Sequence, residues 1–391
     1  MRQRLFNPIR LFVALASLIA GTNNEGYLFA LKKISKFFGM IAPVKSALSQ
    51  YRQKISFLFF KNIFDAIVKN FYQDMKTYKG HHIVGFDGDD LNLPPTEDIL
   101  EYGYRGYKID DEHETHYLKM YLVKCVDLLS NVVLDFRQAI KNDEIELAIQ
   151  MLSEIPKKTI ALYDRLYFSS KMINAHIEEG ILFIARCKKG STFKEVVDFY
   201  SSSKRRSFFY YYDKKSGEHI KINLIKIKNP KNKETIVVAT NMDVSDWSNK
   251  EITHLYTLRW DCETNNRDST STLKLDQWHS KFFNGIMQEI YVHLVMMNIT
   301  KILIFQEDGY KIDIEKDKTQ KANFKFIFYV VFDLIPKIIK NKVTAVIKEV
   351  KAEIKKTIEI RKRLSRSYPR QVKKKGKSYI NDSVVKTRPL K

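Results

Sequence analysis

The 391-residue chain carries only three cysteines, Cys125, Cys187 and Cys262, odd in number and without paired spacing. That argues against a disulfide framework and a cysteine zinc site, and it fits a reducing cytoplasm. Apolar runs of bilayer length are missing too. Residues 11–20, behind Arg2, Arg4 and Arg10, imitate a secretory leader but fall short of the ~20 residues a bilayer needs. They read as a buried helix, so no membrane partner is expected. No strong helix-turn-helix or zinc-finger signature and no internal repeat is present. Acidic residues are in deficit: 45 Asp and Glu face 67 Lys and Arg, for a net charge of +22. Such an excess favours a polyanionic partner, with a merely lysine-rich soluble protein as the alternative. The charge is uneven. From Lys351 to the end, 15 Lys and Arg face Glu353, Glu359 and Asp382, which places +12 of the +22 in a terminal block typical of a solvated tail that touches nucleic acid.

What is present is a hydrophobic fraction of 44%, enough for a core, in an order that suits two or three structural units. Residues 1–78 read as helical, with Phe57, Phe60, Ile63, Ile67 and Phe71 at helical spacing. Residues 82–87 form an apolar strand that ends at Asp87, and residues 91–95 read as an extended loop. Two strands, 117–126 and 132–136, precede a helix at 144–155. A buried strand, 159–163, ends at Asp164, and a helix at 169–179 and a strand at 181–186 follow. Strands and helices in this order predict an α/β core. Residues 208–241 are β-patterned, and 251–305 are helical with a break expected near 282–285.

Tyr256, Arg259 and Glu263 are spaced by three and four, so one helical face carries all three. A guanidinium and a phenol can hold a phosphate, and a carboxylate beside them can hold a divalent cation. Asp87 and Asp164 each close an apolar run, the place where open α/β sheets build their sites. The alternative for each aspartate is a turn or cap residue. Taken together, Asp87, Asp164 and Glu263 are expected to bind two Mg2+ ions, with Mn2+ as a substitute, for in-line phosphoryl transfer. Asp87 would bridge both ions. His81 and His82 read as surface or strand-edge residues, Trp260 and Trp278 as core or base-stacking residues, and Asp89 as a loop residue or a partner of the site.

Several stretches resemble bacterial insertion-sequence DDE transposases of the IS-four type, which carry a Tyr-Arg-Glu-Lys signature. They are Val84-Gly85-Phe86-Asp87-Gly88-Asp89, Leu162-Tyr163-Asp164-Arg165, Val238-Ala239-Thr240-Asn241, Tyr256-Thr257-Leu258-Arg259-Trp260-Asp261-Cys262-Glu263, residues 273–281, Gln288-Glu289-Ile290-Tyr291-Val292-His293-Leu294 and Ser367-Tyr368-Pro369-Arg370. The resemblance runs from about Arg4 to Val372 and is carried by the order and spacing of these stretches. It implies a ribonuclease-H-like core interrupted by a β-rich insertion. The boundaries expected are an N-terminal helical unit at 1–78 that binds DNA ends, the first part of the core at 79–187, the insertion at 188–248, the glutamate helix and end of the core at 249–310, and a helical, basic region at 311–391. The implied activity is metal-dependent cleavage and strand transfer on double-stranded DNA, at terminal inverted repeats and target DNA, by a cytoplasmic homodimer, with release through end hairpins. Tyr256, Arg259, Arg267, Lys274, Arg366 and Arg370 are the expected DNA contacts. One departure stands out: seven residues after the glutamate the family has Lys, and this chain has Thr270 behind Ser269. At 100° per residue Thr270 would lie within about 20° of Glu263, but it cannot supply the charge. A catalytically decayed copy that only binds DNA is therefore the alternative.

Overall fold

The computed structural model describes residues 7–19, 26–108, 113–228, 234–273, 275, 277–313, 318–339, 342–362 and 388–389. Four helices come first: α1 (Pro8–Ile19), α2 (Tyr27–Phe38), α3 (Lys45–Lys54) and α4 (Leu58–Phe71). The run that imitates a leader is α1, buried over most of its length. There follow β1 (His82–Leu93), α5 (Glu97–Glu101), β2 (Gly106–Lys108), β3 (His113–Asp127), β4 (Val132–Ala139), α6 (Glu144–Leu152), β5 (Thr159–Tyr163), α7 (Ser170–Glu179) and β6 (Leu182–Arg186). Next come α8 (Lys194–Ser201), β7 (Arg206–Tyr212), β8 (His219–Lys228) and β9 (Thr235–Thr240), then α9 (Asn249–Leu258), α10 (Trp260–Arg267) and α11 (Phe283–Gln306). A small antiparallel sheet of β10 (Tyr310–Asp313), β11 (Lys318–Lys321) and β12 (Glu359–Lys362) brackets α12 (Phe324–Ile339) and α13 (Val343–Thr357).

One large mixed sheet organises the molecule, in the order β3-β1-β5-β6-β9-β8-β7, with β4 and β2 on the far edge of β3. Strands β1, β5 and β6 are parallel, and β3 and β4 run as antiparallel neighbours. Beyond β6 the sheet continues through β9, β8 and β7, all antiparallel, so the β-patterned residues 208–241 extend the sheet that carries the aspartates. Asn241 prolongs the β6–β9 contact: its side chain accepts from the Phe183 amide and donates to the Ile181 carbonyl, as a further strand residue would.

Two expectations need correction. The strand through Asp87 does not end there but runs to Leu93, and the loop expected at 91–95 is strand for its first three residues. The long β3 supplies paired backbone as far as Leu93↔Leu118, while β5 stops pairing with β1 at Gly85↔Leu162. Polar residues are tolerated past Gly85 because only one neighbour covers them. The helical stretch breaks at residues 273–282, earlier than expected, and α11 starts at Phe283.

Helix α11 is buried on almost every side, as its unbroken apolar composition requires. It packs against α4, α1, α12 and β4. Asn298 holds it to the sheet by accepting from the Val133 amide and donating to the Val133 carbonyl. At its N-terminal end the buried Arg52 of α3 donates to Glu289 at 2.8 Å, to the Gly285 carbonyl and to Tyr27, and His279 stands beside the same carboxylate. Removing one partner of such a buried pair leaves an uncompensated charge, at a cost of about 3–5 kcal/mol. Arg52→Ala should therefore lower the urea midpoint sharply, and Arg52→Met/Glu289→Leu should recover part of the loss.

On the opposite face of the sheet the ring of His176 is fully buried between Tyr163 and Ile181. Its Nδ1 donates to the Ile181 carbonyl, so Nε2 accepts from the Tyr163 hydroxyl and the ring is neutral. Burial pushes its pKa down to about 4. The unfolded chain takes up a proton near pH 6.5 that the folded chain refuses, so stability is complete above that pH and falls as pH drops toward 4, by up to about 3 kcal/mol. Thermal unfolding between pH 7 and 4 should show this slope, reduced in His176→Gln.

Candidate active site

The β1–β5 register sets the site. Gly85 and Leu162 are the last paired residues; Asp87 lies two residues further along β1, and Asp164 lies two residues past Leu162, just beyond the end of β5. Alternation along a strand puts Gly85, Asp87 and Asp89 on one face and Phe86 on the other. There Phe86 stacks on Tyr163 with centroids 5.1 Å apart. On the Asp87 face lies α10. A methyl group on Gly85 would overlap the Cys262 sulfur, so this helix rests directly on strand backbone. Its other anchor is Asn265, whose amide nitrogen donates to the backbone and side-chain oxygens of Asn131 in the β3–β4 turn, at 3.1 and 2.9 Å. Asn131 has φ +65, a left-handed conformation that asparagine tolerates. Glu263, next to Cys262, is thereby brought toward Asp87.

Helix α9 starts in a capping box, with the Ser248 and Glu251 side chains each bonded to the other's backbone amide. Lys79, just before β1, pairs with Glu251 at 2.5 Å and ties the helix start to the strand. The expected single helix is interrupted at Arg259, yet its backbone stays right-handed and the i,i+4 relation survives. Arg259 donates to Glu263 at 2.9 Å and also hydrogen-bonds the hydroxyl of buried Tyr256. Burial works against the guanidinium's charge, but Tyr256, Asp164 and Glu263 outweigh it and hold its pKa above the ordinary value. Burial pushes the Tyr256 pKa up to about 12.

Asp87 is pushed up to about 7 by burial, with the Glu263 and Glu144 carboxylates adding to the rise against Arg259. Its Oδ2 accepts from Asn266 at 2.8 Å. Asp164 accepts from the Arg165 amide. With Glu263 turned to Arg259, the three acids share a region but each faces a different partner. Among the described residues no three His, Cys, Asp or Glu side chains converge closely enough to hold a metal ion.

Three further residues were not singled out from the sequence. Asn266 grips Asp87. Glu144 lies so close above Gly88 that any side chain there would overlap it, and it accepts from Tyr167 at 3.0 Å. Lys124, opposite Asp87 on β3, is fully buried, donates to Ser269 Oγ at 3.2 Å, and has its pKa pushed down to about 8 by burial. Only glycine at 85 and 88, inside a strand, signalled close approaches in advance.

Thr270 does not lie where a continued α-helix would carry it. The helix ends at Arg267, and Asp268–Thr272 form a wider π turn. Thr270 donates to the Asn266 carbonyl, and Ser269 is buried against Asn265 and Met297. Arg267 is exposed on α10, whereas Lys274, Arg366 and Arg370 lie outside the described residues. The Trp278 indole donates to the Asn92 carbonyl, and Trp260 packs edge-on to Tyr256.

The family model described as "Transposase DDE domain" matches residues 78–299, more than half of the chain. The chain belongs to this transposase family. The match spans both aspartates, the sheet extension, Glu263 and most of α11, and covers the middle part of the Arg4 to Val372 stretch over which the sequence resemblance was read. A relative named "Putative transposase InsZ", from Escherichia coli (strain K12), is 27% identical over 148 residues, 36% of this chain. The chain spans about half, 48%, of that relative's length. Among solved structures, the cryo-EM structure of the piggyBac transposase synaptic complex with hairpin DNA overlaps 95% of this chain and 79% of its own, with a TM-score of 0.46 at 10% identity. No described helix is long and apolar enough to cross a membrane.

The Gly85–Cys262 contact is directly testable. Gly85→Ala should destabilise the fold by about 1–3 kcal/mol through overpacking, and Gly85→Ala/Cys262→Gly should recover part of it, read as the urea unfolding midpoint.

Proposed function

We propose that this transposase-family chain binds the ends of a mobile DNA element and carries out metal-dependent strand cleavage and strand transfer, with Asp87, Asp164 and Glu263 as its acids. The observation that carries this reading is that Asp87 on β1 and Asp164 just past the end of β5 each lie two residues beyond the last paired residues of these parallel neighbours, with α10 seated on β1 so that Glu263 is brought toward Asp87. The strand order β4-β3-β1-β5-β6 supports a ribonuclease-H-like core over 79–187, with 188–248 as the β-rich insertion.

The donor set suits a hard cation. Carboxylate oxygens are the ligands such an ion takes, and burial raises the cost of charge on Asp87 unless a positive group offsets it; the three acids, apart in the arrangement described, would have to turn toward one another to share an ion. Asp87, Asp164 and Glu263 would hold Mg2+ or Mn2+, two ions in our reading. When bound, the metal supplies the positive charge that activates the attacking oxygen and stabilises the leaving one. Within the chain, Arg259 neutralises Glu263 in the arrangement described; once Glu263 turns to a cation, the guanidinium is free to take a phosphate oxygen. Tyr256 fixes Arg259 from the buried side, and Asn266 orients Asp87. The basic C-terminal block adds salt-sensitive DNA affinity, and the chain works as a dimer across paired ends in a bacterial cytoplasm.

A second reading, a decayed copy that binds DNA without cutting it, is supported by Thr270 in place of lysine and by the dispersed acids. Cleavage of end-repeat DNA with Mn2+ and Mg2+ separates the two. Under the first reading the native chain nicks, and Glu263→Gln and Asp164→Asn each reduce nicking by about a hundredfold or more. Full activity in Asp164→Asn would remove that residue from the site. A silent native chain revived by Thr270→Lys would establish decay on a sound scaffold, and silence from every version with DNA still bound would leave a binding remnant.

A further inference from the structure

A cavity of about 340 Å³ opens beside α10, between its Thr264–Arg267 face, the end of α11, the β10–β11 hairpin and the start of α12. None of Asp87, Asp164 and Glu263 lines it. Its volume lies at the lower end of the range for small-molecule and nucleotide pockets. Four cations line it, Arg267, Lys301, Lys321 and Lys325, against two carboxylates, Asp268 and Glu359. Lys321 is committed to Asp261 at 3.0 Å. Among the described residues Arg267 and Lys325 make no ion pair.

Lys301 is the unusual member. Its side chain is 3% exposed, and its nearest carboxylate oxygen, Asp268 Oδ2, is 3.4 Å away. Among the described residues Asp268 is its one carboxylate partner, and no acceptor meets the ammonium in well-directed hydrogen-bond geometry, so donors are left over. Burial lowers its pKa, with Asp268 working against that. A buried ammonium with unused donors at the wall of a cavity is costly unless something polar completes it. The same nitrogen sits 5.1 Å from the centre of the Phe324 ring, which gives the cavity an apolar wall beside its positive one. An anion attached to a flat or sugar-like body matches that pairing better than a bare ion does.

We propose that this cavity is a nucleotide-phosphate subsite, in which Lys301 receives the phosphate, Arg267 and Lys325 hold it at the rim, and Phe324 flanks the attached sugar or base. As a DNA subsite it rests on the transposase reading above. Arg267 at the cavity rim lies one helical turn from Glu263 on α10, so a strand that reaches Glu263 along this helix also reaches the rim. The same chemistry would also take a free nucleotide, and the experiment separates the two sources.

The intact protein is tested in two ways. DNA affinity is measured against salt for the native chain, Arg267→Gln and Lys325→Gln, with Lys214→Gln in the exposed β7–β8 turn as the baseline. Thermal unfolding is measured with and without dAMP for the native chain and Lys301→Met. A DNA-strand phosphate requires each rim variant to weaken binding about threefold to tenfold beyond the baseline and to lower the salt slope by about 1. A free nucleotide requires a dAMP-dependent rise in Tm that Lys301→Met loses. Either result supports the subsite, and the absence of both overturns it. The rim variants are exposed, so their folding is not at stake if Lys301→Met fails to fold. Nicking is followed in the same samples. A native chain that nicks but shows neither effect loses the subsite and keeps its catalytic reading, whereas a dAMP effect without nicking keeps the subsite alone.

Discussion

The arrangement depends on one close approach: a helix laid on bare strand backbone. Gly85 has no side chain and Cys262 a small one, so α10 comes down onto β1 with nothing between them. Because Gly85 and Asp87 share a face of β1, and Glu263 follows Cys262 on α10, that contact sets the separation of two acids supplied from distant parts of the sequence. The Asn265 bonds to the β3–β4 turn stop the helix from sliding along its seat. Position along β1 is then fixed by the register with β5, whose last pair, Gly85 with Leu162, lies two residues before each aspartate.

A second constraint is electrical. The face of the sheet that carries Asp87 also buries Lys124, Lys301 and His293 near the π turn, and among the described residues neither ring nitrogen of His293 has a hydrogen-bond partner. Burial pushes His293 down to about 3, with the two lysines adding to the drop. Lys124 stands directly across from Asp87 on β3 and donates to Ser269 of the turn, while Lys301 pairs with Asp268 of the same turn. A regular α-helix continued past Arg267 would carry the Asp268 and Ser269 side chains elsewhere, which gives the irregular turn a physical reason to exist. π turns of this kind recur at functional sites.

Much of this was legible from the sequence. Strands β3 to β9 and helices α6 and α7 fall close to where alternation and helical spacing place them, and the Tyr256, Arg259 and Glu263 spacing foretold a real contact between Arg259 and Glu263. The end of β1 was misjudged because Asp89, Asp90 and Asn92 read as loop residues, although a long neighbouring strand keeps polar residues in the sheet. The break before α11 was misplaced for a similar reason: residues 273–282 contain enough apolar side chains to pass for helix. Asn266, Glu144 and Lys124 were invisible because each acts across elements far apart in sequence, and a polar residue on a helix or strand gives no sign of which neighbour it will meet. The departure at Thr270 was legible, but its geometry was not, since a rule of 100° per residue fails once the turn widens.

The Arg259–Glu263 ion pair has a consequence for how the protein is made. In small metal-folded domains the ligands repel one another until the ion arrives, so the unloaded chain is unfolded. Here a guanidinium already stands in for part of the positive charge, and the helix that carries Glu263 is seated by packing and by asparagine bonds that need no ion. A newly synthesised chain can therefore complete its fold in ion-poor surroundings. If Glu263 holds a cation as proposed, that cation would compete with an arginine for its carboxylate, so occupancy would follow the free ion concentration and would not lock in at birth.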